Sequence, residues 1–190
     1  MMIFTLSTDH WLNEANHVVS PFYDERPDDK DISLLVVHNI SLPPGQFGGP
    51  YIEQLFTGTL DPNEHPFFSV IYQFRVSAHC LIRRDGSVIQ FVPFNARAWH
   101  AGASSFAGRS RCNDFSIGIE LEGTDFTAYT QEQYESLAAV TNVLQGAYPL
   151  IRDERITGHQ YIAPFRKSDP GLSFNWNKYH KLRKLKELAV

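Results

Sequence analysis

The run "ISLLVVHN", Ile32–Asn39, decides how the rest of the chain is read. It is continuously apolar up to His38 apart from Ser33, and such a run reads as a buried strand. Side chains alternate along a strand, so Ile32, Leu34, Val36 and His38 share one face. His38 therefore closes an otherwise apolar face. Upstream, "SPFYDERPDDKD" (Ser20–Asp31) is a polar, proline-punctuated loop. Downstream, Ser41–Phe68 is dense in proline and glycine and leaves room for one short helix at Tyr51–Phe56. Loops this long are uncommon in a compact domain and usually functional. His38 thus stands where a strand opens into loops, the place where sites gather.

Working outward, "DFSIGIELEG" (Asp114–Gly123) alternates as a second strand. Phe115, Ile117, Ile119 and Leu121 face one way; Ser116, Gly118, Glu120 and Glu122 face the other. Arg75–Pro93 reads as a β-hairpin with its tight turn at Asp85-Gly86. Asn95–Asn113 is a small-residue loop. Thr130–Pro149 is the strongest helix, opened by a capping box of Thr130 and Gln133. Tyr134, Leu137, Ala138, Thr141, Leu144 and Tyr148 form its inward stripe. The tail Ser173–Val190 carries a second helix, over about 174–189, with Trp176, Tyr179, Leu182, Leu185 and Leu188 on one stripe. Strands mixed with helices and one hairpin predict an α/β protein: a central mixed β-sheet flanked by α-helices.

The chain has 190 residues, which fits a single domain, 1–190, with a core of about 20–176. Apolar residues make up 43% and charged residues 20%, as in an ordinary globular protein. A net charge of -4 argues against nucleic acid as the main partner. Two cysteines, Cys80 and Cys112, form no disulfide scaffold. The start "MMIFTLSTDHWLNE" lacks the basic start and long apolar core of a signal peptide. No run approaches the roughly 20 apolar residues that span a bilayer. These features predict a cytoplasmic, monomeric protein without a membrane partner.

Among eight histidines, His10, His17, His180 and His65 read as surface or loop residues. His79 reads as a hydrogen-bonded core group. For His100, in "AWHAG", packing competes with a supporting role beside a ligand or substrate. His159 and Asp169 lie ten residues apart in "GHQYIAPFRKSDPG" (Gly158–Gly171). With His38 they would supply the three ligands that a zinc hydrolase needs. No H-x-x-x-H or C-x-x-C pair is present, so spacing alone leaves that set open. Glu120 is either a solvated strand glutamate or a general base, with Ser116 and Gly118 leaving room beside it. Glu122 reads as solvated. Lys167 is either a surface cation or, two positions from Asp169, an oxyanion stabiliser.

The runs "LLVVHNISLPPGQFGG", "LDPNEHPFF", "VSAHCLIRRDG", "RAWHAG", "RCNDFSIGIELEGTD", "TGH" and "RKSDPG" stand in an order that resembles one family. It is the zinc-dependent N-acetylmuramoyl-L-alanine amidases of peptidoglycan recycling, which share the peptidoglycan-recognition-protein fold. The resemblance covers about Ser20 to Trp176. It implies one zinc ion held by His38, His159 and Asp169, with Glu120 catalytic and Lys167 stabilising the transition state. It implies an anhydromuropeptide substrate, cut between the lactyl group of 1,6-anhydro-N-acetylmuramic acid and L-alanine, and a link to wall-stress signalling. Asn39, Arg75, Trp99 and Arg111 fall in runs associated with substrate contact. A non-catalytic wall-binding module and a lytic amidase of intact wall are the alternatives within that fold. Two positions depart from the family pattern: Phe67 replaces a tyrosine, and Phe165 replaces a glutamate.

Overall fold

The computed structural model describes residues 3–187. In chain order the elements are β1 (Asn16–His17), β2 (Tyr23–Asp24), β3 (Leu34–Ile40), α1 (Tyr51–Thr57), α2 (Phe68–Ile71), β4 (Cys80–Ile82) and β5 (Val88–Gln90). Then follow β6 (Arg97–Ala98), β7 (Ser105–Phe106), β8 (Arg109–Ser110), β9 (Ser116–Glu122), α3 (Gln131–Ala147), β10 (Ile156–Gly158), α4 (His159–Ile162) and α5 (Trp176–Glu187). A six-stranded sheet runs in the order β1-β5-β4-β9-β3-β10. The β4–β5 pair is antiparallel and the other pairs are parallel, so the sheet is mixed as expected.

The alternation in β3 and β9 sorts their side chains onto two faces. Leu35, Val37, Ile117, Ile119 and Leu121 pack under Tyr134, Leu137 and Leu144 of α3 and Tyr179 of α5. Leu34 and Val36 turn the other way, to Ala101, Cys112 and Ile162. Phe115 joins that second group; it stands before β9 and does not share the face of Ile117. Ile32, expected on the face of Leu34 and Val36, packs with Leu35 and Val37 instead, because the strand and its alternation begin only at Leu34. A further apolar cluster packs Ile52, Leu55 and Phe56 of α1 against Leu81 and Ile89.

Helix α3 starts as its sequence predicts. Thr130 accepts from the Gln133 backbone N–H at 3.1 Å, and the Gln133 side chain accepts from Thr130 N–H at 3.1 Å. The hairpin is shorter than expected, because residues 75–79 lie outside the strands. Its loop is a turn from Arg83 to Gly86 with Gly86 at φ +84°, a left-handed residue that a glycine adopts without steric cost. In α5, Leu185 is exposed and Leu188 lies outside the described residues. Arg183 is buried in its place, paired with Asp153 and donating to Gln145 at 2.8 Å. Among the described residues, no helix is long and apolar enough to cross a membrane.

Candidate active site

Parallel register brings the first three groups together. Gly158 pairs with Val37, and His38 pairs with Glu120. His159 follows Gly158 directly. His159, His38 and Glu120 therefore stand in a row across the C-terminal ends of β10, β3 and β9, where ligands of open α/β sheets bind. Asp169 returns to that row on the irregular segment after α4. Its backbone carbonyl accepts from Gln160 N–H at 2.9 Å, and Pro170 O accepts from Asn39 Nδ2 at 3.2 Å and Tyr129 Oη at 2.8 Å. Gly158 permits this approach, since a Cβ there would lie 2.7 Å from Pro170 Cδ.

Three donor atoms converge. His38 Nδ1 lies 3.0 Å from His159 Nδ1 and 3.0 Å from Asp169 Oδ2, and His159 Nδ1 lies 3.1 Å from the same oxygen. His159 Nε2 donates to Ala101 O at 3.1 Å, because a carbonyl only accepts. Its Nδ1 is then a bare lone pair. At this junction a bare nitrogen, a carboxylate oxygen and a second ring nitrogen share at most one proton, and a cation relieves the repulsion. Donors bound to one zinc at 2.0–2.1 Å stand roughly 3.3 Å apart in a tetrahedron, close to these separations. The residues thus fit a metal ion.

The electrostatics agree. Burial pushes His38 down to about 4, against the hydrogen bond it donates to Asp169, which favours its charged form. Burial opposes ionisation of Asp169, but hydrogen bonds from His159 and His38 outweigh it and hold the carboxyl far below its ordinary range. Glu120 behaves in the opposite way. Burial first, and the charge of Asp169 second, raise it well above the usual carboxylate range, while Lys167 pulls it down. Its Oε2 is buried without a hydrogen-bond partner among the described residues. An orphaned buried carboxylate oxygen is rare and marks a place where something else binds.

The neighbouring glutamate is different. Glu122 was expected to be solvated, yet it is 2% exposed. It accepts from Arg83 Nη1 at 2.8 Å and from Gly48 N–H at 2.7 Å, tying the loop after β3 to the sheet. The expected free space beside Glu120 at Ser116 and Gly118 is also absent, because the His100 ring fills it. His79 is a core group: Gly118 N–H donates to its Nδ1 at 3.0 Å.

Lys167 is exposed, and its charge reaches both His38 and Glu120. With Asn39, Asp125, Phe126, Ser168 and Asp169 it lines a cleft of about 520 Å³. A larger hollow, about 770 Å³, follows Tyr23–Lys30 and holds none of these groups. The structure does not bring Arg75, Trp99 or Arg111 to the cleft walls. Arg75 is exposed. Trp99 donates from Nε1 to Asp24 at 3.0 Å and stacks on Phe22. Arg111 is exposed and pairs with Asp114 at 3.2 Å. Asn39 holds Asp125 at 2.8 Å as well as Pro170, so it supports the cleft wall. Phe67 is part-exposed and Phe165 fully so, and nothing in the structure explains either departure.

A mixed sheet with two histidines, an aspartate and an unpartnered glutamate at its parallel strand ends matches a known class. The family model for N-acetylmuramoyl-L-alanine amidase covers residues 28–172, and the chain belongs to that family. Within it, the chain is 65% identical over 177 residues to the 1,6-anhydro-N-acetylmuramyl-L-alanine amidase AmpD of Citrobacter freundii, covering 93% of this chain and 94% of that one. A crystal structure of a selenomethionine AmpD derivative superposes with a TM-score of 0.90 at 63% identity, covering 96% of this chain and 99% of the other. A more distant structure, the amidase AmiD from E. coli with anhydro-N-acetylmuramic acid-L-Ala-D-gamma-Glu-L-Lys, has a TM-score of 0.60 at 27% identity over 80% of this chain and 57% of its own.

Proposed function

We propose that this amidase is zinc-dependent and acts on soluble 1,6-anhydromuropeptides in the cytoplasm, as a monomer, in peptidoglycan recycling. It would hydrolyse the amide between the lactyl group of the anhydro sugar and L-alanine. The observation that carries the reading is the convergence of His38, His159 and Asp169 beside the buried, unpartnered Glu120. The similarity to AmpD, whose name specifies the 1,6-anhydro sugar, supports the substrate.

His38, His159 and Asp169 would hold the zinc. When bound, it supplies Lewis-acid polarisation of the scissile carbonyl and makes water more acidic. Glu120, its carboxyl raised well above the ordinary range by burial, takes a proton from the attacking water and returns it to the leaving alanine nitrogen. Lys167 offers a cation at the cleft for the developing oxyanion. Burial of the two histidines and Glu120 keeps bulk water from screening these charges.

The test compares release of peptide from a soluble anhydromuropeptide with release from intact sacculus, alongside metal analysis of the purified chain. One zinc per chain and strong preference for the soluble substrate are expected. Preference for sacculus, or a chain that turns over substrate without zinc, overturns the reading.

A further inference from the structure

The ligand His38 has a second nitrogen, and what meets it is unusual. Nε2 of His38 lies 2.9 Å from Nδ1 of His100. The two rings meet edge-on, at 84° with centroids 4.9 Å apart. On its far side, His100 Nε2 lies 3.2 Å from Ser116 Oγ. The backbone is pinned too: N–H groups of His100 and Ala101 donate to Asn113 Oδ1 at 3.2 and 2.8 Å. Gly118 makes the space, since a Cβ at that position would stand 2.4 Å from His100 Cγ. A strand of the central sheet thus carries a glycine where it must let a histidine ring lie flat against the backbone.

A neutral histidine that gives one nitrogen to a metal carries its proton on the other. In His38 that other nitrogen is Nε2, and His38 is 1% exposed. A buried N–H without an acceptor is costly. Among the described residues, His100 Nδ1 is the hydrogen-bond partner of His38 Nε2. We propose that His100 is a positioning residue for the metal centre: clamped between Gly118 and Ser116, its Nδ1 accepts a hydrogen bond from His38 Nε2–H and so aims the His38 Nδ1 lone pair at the ion. The inference rests on the zinc reading above, and it assigns a task to "AWHAG" and to the Ser116–Gly118 pair that neither packing nor substrate contact supplies.

The test measures zinc affinity of the full chain by competition with a chromophoric chelator. His100→Phe keeps the ring volume and removes both nitrogens. It should weaken zinc binding about 10- to 100-fold, the effect usual for losing such a partner. His100→Asn restores an acceptor oxygen near the Nδ1 position and should recover most of the affinity. A packing role predicts the reverse order, because phenylalanine fills the cradle and asparagine does not. The second readout is ring-nitrogen NMR of the zinc-loaded protein, which should show a proton on His38 Nε2 and none on His100 Nδ1. Equal zinc affinity in wild type and His100→Phe overturns the proposal, as does a proton on His100 Nδ1. If His100→Phe does not fold, the ring-nitrogen spectrum of the wild type and the affinity of His100→Asn decide alone. A wild-type chain that binds no zinc overturns the metal reading itself, an outcome distinct from tight binding that ignores His100.

Discussion

The site is assembled from two kinds of backbone. One half is sheet: His38 and Glu120 pair in register on parallel strands, His159 directly follows the third strand, β10, and all are buried. The other half is loop: Lys167 and Asp169 arrive on an irregular segment between α4 and α5, with Lys167 exposed and the Asp169 side chain 13% exposed. The sheet half is positioned by a ladder of backbone hydrogen bonds, and its side chains cannot shift without moving strands. The loop half is held by a few hydrogen bonds around Pro170 and by contacts at Gly158 and Gly171. Groups on rigid elements are the more precisely aimed. On the proposed mechanism, the comparison teaches that proton transfer would sit on the precise half, while closure of the metal site would depend on the softer one.

The largest effect expected is on the sheet half. Glu120→Gln keeps the shape and removes the base, so turnover should fall about 10²- to 10⁴-fold with zinc content unchanged. Steady-state kinetics with parallel metal analysis check it; near-normal turnover would remove Glu120 from the mechanism. Lys167→Ala, on the loop half, comes next. Loss of an oxyanion-stabilising group costs about 10²- to 10³-fold where the group is fixed, and this exposed lysine should fall at or below the lower end. A larger loss from Lys167→Ala than from Glu120→Gln would reverse the comparison.

Acid should separate the halves in the zinc-free protein. His38 is pushed down to about 4 and His79 to about 3, in both cases chiefly by burial. In the unfolded chain a histidine titrates near 6.5, so between these values the unfolded state binds more protons. Stability is then full above about pH 6.5 and falls as pH drops towards 4, by roughly 1.4 kcal/mol per pH unit for each histidine. Asp169 is depressed instead, so its contribution is present above the unfolded carboxylate value of about 3.9 and is lost only as pH falls further. Urea unfolding of chelated protein at pH 7.5, 5.5 and 4.5 is expected to show the histidine window first. Glu120, raised by burial, works in the opposite direction over this window, so the same series is run on Glu120→Gln; a profile that is flat in that variant would mean that these histidines titrate normally.

The two halves also differed in legibility. The period of two in Leu34–His38 and Ser116–Glu122 is local, so the faces bearing His38 and Glu120 could be read before any contact was known; Ile32, expected on the face of Leu34, lies before β3 and packs with Leu35 and Val37 instead. The capping box of α3 is local for the same reason. His159 and Asp169 converge on His38 through strand register and chain reversal, which spacing does not encode; ligand chemistry made the three a candidate set, and the family resemblance singled it out. Charges buried by distant partners were hidden as well. Glu122 looked solvated because Arg83 and Gly48, its partners, lie far off in sequence. Arg26, in a loop read as polar, is buried and donates to Ser116 O at 2.8 Å and Phe94 O at 3.2 Å. Gly118 was visible as a small residue on a strand, but the ring that occupies its space comes from another segment.

The smallest effect is the one that tests the loop half most directly. Tyr129 is buried, and its hydroxyl donates to Pro170 O at 2.8 Å, one residue beyond the ligand Asp169. Tyr129→Phe removes that donor and leaves the ring packed against Tyr134 and Phe174. A single hydrogen bond of this kind is worth about 0.5–1.5 kcal/mol, or roughly a 2- to 13-fold change in an equilibrium constant. Asn39 Nδ2 still holds the same carbonyl at 3.2 Å, so the lower end is expected. If the loop half is the softer one, the loss appears in zinc affinity through a less well placed Asp169, while turnover of the fully loaded enzyme stays close to wild type. If it appears instead only as a lower melting temperature, with zinc affinity unchanged, Asp169 is held as firmly as the strand-borne ligands and the distinction between the halves fails.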